Sequence, residues 1–191
     1  MGAWNGWYHV TGNTYGTWVR GDERGWREWH HHEHVDGDYR NPPSQERTRV
    51  PLKLSREVMK GPPVVLNPMQ RRKAGEAMVE KLAEQGIEVL AISVGGEHYH
   101  ILARFRDAQV RGPVGRAKKS ASHILREYGL PGTVWAKRCG VRPIEDRCHQ
   151  VNTFNYILSH AAEGAWTWDF KKPVPRTRDA ANGDPSPKAD G

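Results

Sequence analysis

The sequence predicts an α+β fold: a ferredoxin-like antiparallel sheet with helices on one face. Three observations carry this reading. Two apolar runs, Ile87–Val94 and His98–Phe105, are joined by Gly95-Gly96-Glu97, the pattern of a hairpin. Helical periodicity flanks that hairpin on both sides. Further strand-like segments lie before the first helix and after the second. The order strand, helix, strand, strand, helix, strand, helix suits helices layered on a sheet.

Each element has a local reason. Trp7–Thr11 alternates in the manner of a first strand, and a Gly/Asn/Thr-rich loop follows. Gly21–Leu66 is charged and proline-rich and has no sustained period. It reads as a long irregular loop, with a helical turn near Ser55–Lys60, and such segments are usually functional loops or insertions. Asn67-Pro68 supplies an N-cap and a proline at the first helical position. Ala74, Ala77, Met78, Val79 and Leu82 recur at helical spacing, and Gly86 stops the helix. A second helix spans Val114–Tyr128, with Ala117, Ala121, Ile124 and Leu125 on its apolar stripe and Gly129 after it. Thr133–Arg138 reads as a fourth strand. A third helix runs from Asp146 to Glu163 and ends at Gly164. One domain over residues 1–170 is expected, followed by a disordered tail over 171–191, which is rich in Pro, Asp, Ala and Gly.

Composition narrows the class of function. The chain has 191 residues, enough for one sizeable core, and a net charge of +7. Its mean hydropathy is −0.80. No stretch approaches the roughly 18 apolar residues that cross a bilayer. The opening Met1-Gly2-Ala3-Trp4-Asn5 has neither a basic region nor an apolar run, so a cytoplasmic protein without a membrane role is expected. Cys139 and Cys148 read as free thiols; with His149 they match no standard zinc spacing. Between Arg104 and Arg142 stand ten Lys or Arg side chains, opposed only by Asp107 and Glu127. A polyanion would be drawn to that stretch. The plain alternative is a solvated basic face.

Two short motifs carry the chemistry. In a strand, alternate side chains share a face, so His98 and His100 project together while Tyr99, Ile101, Ala103 and Phe105 project to the other side. Two such imidazoles can converge on a divalent cation. On the third helix, Val151, Phe154, Ile157, Leu158 and Ala161 fall on one side, and His149, Asn152, Thr153, Tyr156 and His160 on the other. Tyr156 and His160, four apart, are stacked neighbours. A metal held by His98, His100 and His160 could polarise a phosphodiester as a Lewis acid. Tyr156 could attack the phosphorus as a covalent nucleophile, releasing a 3′-OH and keeping the 5′ end. Mg²⁺ and Mn²⁺ both fit these ligands.

Lys118, Lys119 and Arg126 on the second helix are the leading phosphate-contact candidates, with Arg116 and Arg104 beside them. In the loop, Trp26 and Trp29 could stack on unpaired bases, with Arg20, Arg24 and Arg27 on phosphates. Trp7 and Trp18 are read as core. The run His30-His31-His32-Glu33-His34 reads as a solvated loop that could hold metal weakly. Glu97 either tunes the metal or fills a turn.

His98-Tyr99-His100 with Tyr156-xxx-His160 resembles the single-tyrosine transposases that carry a His-hydrophobic-His (HUH) motif. Thr14-Tyr15-Gly16-Thr17-Trp18 and Gly21-Asp22, within Trp7–Asp38, look like the relatives called REP-associated tyrosine transposases. The resemblance spans about residues 7–168. It implies a ferredoxin-like catalytic domain, a divalent metal, Mg²⁺ or Mn²⁺, recognition of single-stranded or hairpin DNA, and a homodimer. In several relatives the tyrosine helix of one subunit completes the other's site. Many such enzymes place Gln four residues after the tyrosine; here the ligand role passes to His160. The implied activity is a metal-dependent single-stranded DNA endonuclease and transposase working through a 5′-phosphotyrosine. The alternative is a domesticated hairpin-binding protein that no longer cuts.

Overall fold

A computed structural model of the chain describes residues 2–22, 25–27, 34–36 and 45–177. In chain order the elements are β1 (Trp7–Asn13), β2 (Gly25–Arg27), β3 (His34–Asp36), α1 (Gln45–Glu57), α2 (Pro68–Glu84), β4 (Glu88–Val94), β5 (His98–Arg104), α3 (Arg111–Glu127), β6 (Gly140–Pro143), α4 (Arg147–Ser159), a 3₁₀ turn (His160–Glu163) and β7 (Trp166–Asp169). The main sheet has five strands in the order β6-β1-β5-β4-β7, and every neighbouring pair is antiparallel. The α+β class and the antiparallel ferredoxin-like arrangement expected from the sequence are observed, with β7 added at one edge. β2 and β3 form a separate two-stranded ribbon.

The helix signals work locally as written. The Asn67 side chain accepts from the Gln70 N–H, and the Gln70 side chain accepts from the Asn67 N–H, a reciprocal capping box. Pro68 then occupies the first turn, where its missing N–H costs nothing. Pro113 sits in the first turn of α3 for the same reason, so that helix starts at Arg111, earlier than Val114.

Two apolar clusters lie on opposite faces of the sheet. On one face, Val10, Ile92, Val94, Tyr99, Ile101 and Ala103 meet Ala74, Ala77, Met78 and Leu82 of α2 and Val114, Ala117, Ala121 and Leu125 of α3. Alanines at the contact let both helices sit close. Each fully buried Leu, Ile or Val contributes about 1.5–3 kcal/mol. On the other face, Trp7, Ala91, Leu102, Ile144 and Ile157 form a smaller cluster beneath α4. So α2 and α3 share one face, and, unlike the one-sided layering expected from the sequence, the last helix lies across the other, where Ile157 packs on Leu102 and Ala91.

That second face changes character along β5. Leu102 is apolar and buried in the small cluster, while His100 and His98 follow towards the start of the strand. Helix α4 tracks the change: its buried side chains are Gln150, Thr153 and Ile157, and His160 continues the row into the 3₁₀ turn. The expected apolar stripe supplies only part of the contact face: Ile157 is buried, Phe154 and Leu158 pack half-buried beside it, and Ala161 is exposed. Val151 is 40% exposed. The polar row faces the sheet because that part of the sheet is itself polar.

Three further expectations are corrected. Thr133–Arg138 is not a strand. It makes a single bridge, Trp135 to Thr14, and the edge strand is Gly140–Pro143. Val134 and Trp135 are both buried, which breaks the alternation a half-buried strand requires. Within 21–66, α1 begins at Gln45, well before Ser55. Pro51 lies inside it and Val50, Leu54 and Val58 stand exposed, so no apolar period marks it. Strand β7 was not anticipated. The Trp166 ring packs onto α2 where Gly75 has no side chain, and Trp168 enters the core. From there residues 171–177 run along the protein, with Trp168 Nε1 donating to the Pro173 carbonyl. Residues 178–191 of the expected tail lie outside the described residues. Among the described residues, no helix is long and apolar enough to cross a membrane.

Candidate metal and tyrosine site

Backbone geometry brings the two motifs together. β5 leaves the hairpin at His98, with Gly95 N–H donating to the His98 carbonyl, so its first two outward side chains on the α4 face are His98 and His100. Between them Tyr99 points to the opposite face, where its ring lies against Gly12 of the neighbouring β1. On α4, Asp146 caps the first turn by accepting from the His149 N–H at 2.7 Å. At the other end the α-helix tightens into a 3₁₀ turn at His160 and stops at Gly164, whose φ is +77°. Arg71 donates to the carbonyls of Gly164 and Leu66, tying that end to α2. The α4 terminus is thereby held over the start of β5.

His98, His100 and His160 each offer a ligand nitrogen, and the three atoms lie within 4.8 Å of one another. Ring centroids are 5.1 Å apart for His98 and His100, 5.4 Å for His98 and His160, and 4.7 Å for His100 and His160. Tyr156 stands beside them, its ring 4.7 Å from His160 and 5.4 Å from His100. One chain therefore supplies all four groups. Among the described residues His160 Nδ1 is buried with no hydrogen-bond partner, an arrangement that a bound cation would relieve.

A fourth imidazole joins this group. His9 Nε2 lies 3.1 Å from His100 Nδ1, with the rings stacked at 5.3 Å and 26°. Its place follows from register. His9 pairs with Leu102 and Thr11 with His100, so His9 is the diagonal neighbour of His100 on the same face. Sequence reasoning missed it. Its parity in Trp7–Thr11 carried the signal, but only once β1 is known to lie beside β5.

The electrostatics favour neutral rings. Burial lowers His100 from 6.5 to about 3, with the nearby imidazoles of His160, His98 and His9 adding to it. Burial also lowers His9 to about 4, followed by His149, Arg142 and His160. Near neutral pH both rings keep a lone pair. Burial pushes the Tyr156 phenol above its ordinary value, and the charge of Glu163 pushes it the same way. Tyr156 therefore needs a positive neighbour before it can act as a nucleophile.

His98, His100, His160 and Tyr156 line an open cleft of about 820 Å³, together with Thr11, Asn13, Trp18, Arg138, Gly140 and Glu163. Trp18, expected in the core, is 48% exposed in this wall. Tyr156 is 49% exposed to the cleft. Glu97 serves the turn through its backbone: its carbonyl accepts from Thr14 N–H and from the Thr14 and Thr17 hydroxyls.

The remaining candidates are placed elsewhere. Lys118, Lys119, Arg126 and Arg116 ride on α3, across the sheet from the histidines. Lys118 is buried, donates to the Ala136 carbonyl at 2.6 Å, and is held below the usual lysine range by that burial. Lys119 and Arg126 are exposed. Arg116 donates to Gln85. Arg104 ends β5 at the far side from His98, donating to the Asn5 carbonyl and lying 3.6 Å from Glu88. Trp26 is buried, with the Arg20 guanidinium 4.9 Å over its ring, so its face is already covered. Arg24, Trp29 and His30–Glu33 lie outside the described residues, and only the backbone of His34 is described.

No family model matches the chain, and no curated protein matches its sequence. Among solved structures, one described as a REP-associated tyrosine transposase bound to a REP hairpin is similar. It has a TM-score of 0.47 and 15% identity, over 84% of this chain and 69% of that chain. A likeness at that level does not speak to chemistry, and the functional reading rests on the side chains in the cleft.

Proposed function

We propose that the chain is a metal-dependent endonuclease and strand transferase for single-stranded or hairpin DNA, acting through a 5′-phosphotyrosine on Tyr156. The observation that carries this is the meeting of Tyr156 with His98, His100 and His160 in one cleft of one chain. His98, His100 and His160 would hold a divalent cation, Mg²⁺ or Mn²⁺, which supplies Lewis-acid polarisation of the scissile phosphate.

The chain's own residues do the rest. Tyr156 Oη forms a bond to phosphorus while the P–O3′ bond breaks. The phenolic proton passes to water in the open cleft, and the departing 3′ oxygen takes one proton back from water to become a hydroxyl, so the step is proton-neutral overall. Rejoining is the reverse step, attack of a 3′-OH on the phosphotyrosine. The link conserves the energy of the phosphodiester, which suits strand transfer. Arg138 in the cleft wall offers a charge-assisted contact to phosphate. Trp18, 48% exposed in the cleft wall, is proposed to stack on an unpaired base. Lys119 and Arg126, exposed on the opposite side of the sheet, are proposed to hold flanking DNA. A homodimer is proposed for binding, while the tyrosine and its three histidines need no second copy.

The test is product analysis. A labelled hairpin oligonucleotide with a single-stranded flank, incubated with protein and Mn²⁺, should yield a released strand that a polymerase can extend. Its partner fragment should be bound to protein at the 5′ end, and EDTA should stop both. Hairpin binding without any cleavage at Mn²⁺ saturation would instead favour a DNA-binding protein that does not cut.

A further inference from the structure

We propose that His9 is a positioning residue for the metal centre: it accepts the Nδ1–H of His100 and so fixes the tautomer that leaves Nε2 bare to ligate with His98 and His160. This rests on the metal-centre reading above and deepens it. A neutral imidazole carries one proton on two nitrogens, and only the bare nitrogen can ligate. The His100 ring spends its Nδ1 on His9 at 3.1 Å, which leaves Nε2 as the nitrogen able to ligate alongside His98 and His160. In the opposite tautomer, His9 would donate, His100 would carry its proton on Nε2, and the ligand set would lose a member.

The surroundings make this contact hard to replace. His100 is 8% exposed, so water cannot readily stand in for His9. The two rings are stacked at 26°, and the antiparallel β1–β5 ladder sets their offset. His9 does not reach the reacting groups in the same way. Its ring is 6.2 Å from Tyr156 and nearly perpendicular to it, and its Nε2 is already committed. The assignment is therefore to hold His100, not to move a proton at Tyr156.

Loss of such an outer partner typically weakens metal binding about 10–100-fold. Mn²⁺ affinity of the full chain, read from the free-ion electron paramagnetic resonance signal, is the first test. His9→Phe keeps a ring but removes the acceptor and should weaken Mn²⁺ binding by roughly that factor; His9→Gln, which restores an acceptor, should recover most of it. Imidazole ¹⁵N nuclear magnetic resonance of the metal-free wild type is the second, with the His100 resonance assigned by His100→Gln. It should show the proton on Nδ1, and it needs no folded variant of His9. A wild type with the proton on Nε2 overturns the proposal. So does His9→Phe binding Mn²⁺ as tightly as wild type when His98→Ala does not. If wild type and His98→Ala bind Mn²⁺ equally poorly, the metal centre itself fails and takes this proposal with it.

Discussion

The phenol of Tyr156 lies 4.7 Å, ring centre to ring centre, from the imidazole of His160, and the two planes meet at 77°. These residues are four apart across the point where α4 passes into a 3₁₀ turn. One end of one helix thus brings both the proposed nucleophile and a proposed metal ligand to the face of β5. The pairing divides the chemistry in a testable way, because each group can be removed without the other.

Removing a ligand should separate metal binding from DNA binding. His160→Ala or His98→Ala should weaken Mn²⁺ binding by more than the roughly 10–100-fold typical of an outer partner. Hairpin affinity should change by no more than a few fold, because phosphate contacts position DNA independently of the metal. Parallel Mn²⁺ titration and gel-shift assays check this. Equal loss in both assays would show that the histidines hold the fold or the DNA and not a cation.

Acid should destabilise the metal-free protein through its buried histidines. His100 and His9 titrate near 3 and 4 when folded, against an ordinary value of 6.5. Between those limits the unfolded chain binds protons that the folded chain refuses, so stability rises with pH. It is full above about pH 6.5 and declines as pH falls towards 4. Each unit of pKa difference corresponds to about 1.4 kcal/mol, so from pH 6.5 to 5.5 a loss of about 1–2 kcal/mol is expected. Thermal melts in EDTA should show this slope, and His100→Gln should flatten it. An unchanged slope in His100→Gln would contradict the assignment.

Trp18 should act on unpaired DNA. Its exposed face in the cleft wall predicts that Trp18→Ala weakens binding of a single-stranded flank by about 1–3 kcal/mol, with Trp18→Phe recovering part of the loss. Binding of a blunt hairpin should be nearly unaffected. Fluorescence anisotropy with the two substrates makes the comparison, and equal weakening of both would place Trp18 outside the strand path.

Gly12 should be sensitive to a single methyl group. A Cβ there would lie 2.5 Å from both Tyr99 Cζ and its hydroxyl oxygen. Tyr99 is fully buried and stands between His98 and His100 in β5. Gly12→Ala should therefore cost about 1–3 kcal/mol of stability, as overpacking does, and should also loosen Mn²⁺ binding. Chemical denaturation with and without Mn²⁺ measures both effects.

Much of the site could be read from local pattern. The parity of His98 and His100 and the spacing of Tyr156 and His160 are properties of a strand and a helix, and they survive in any fold that contains them. The capping signals at Asn67 and Gly86 are equally local. What could not be read depends on which elements become neighbours. His9 gained its role only when β1 took its place beside β5. Lys118 looked solvent-facing on its helix, yet it is buried against the Ala136 carbonyl because the segment before β6 folds over it. Trp18 looked like core and Trp26 like an open stacking face. Their exposures are the other way round, since the loop after β1 lines the cleft while Arg20 lies over the buried Trp26. Helix α4 misled for a related reason: its buried face is partly polar because the sheet beneath it is polar where the histidines stand.

The most direct test of the central claim is peptide mapping after reaction of the full chain with a single-stranded hairpin substrate and Mn²⁺. A nucleotide mass attached through phosphate to Tyr156, and no adduct in Tyr156→Phe, is the result expected here. An adduct on another residue, or one that persists unchanged in Tyr156→Phe, would contradict it.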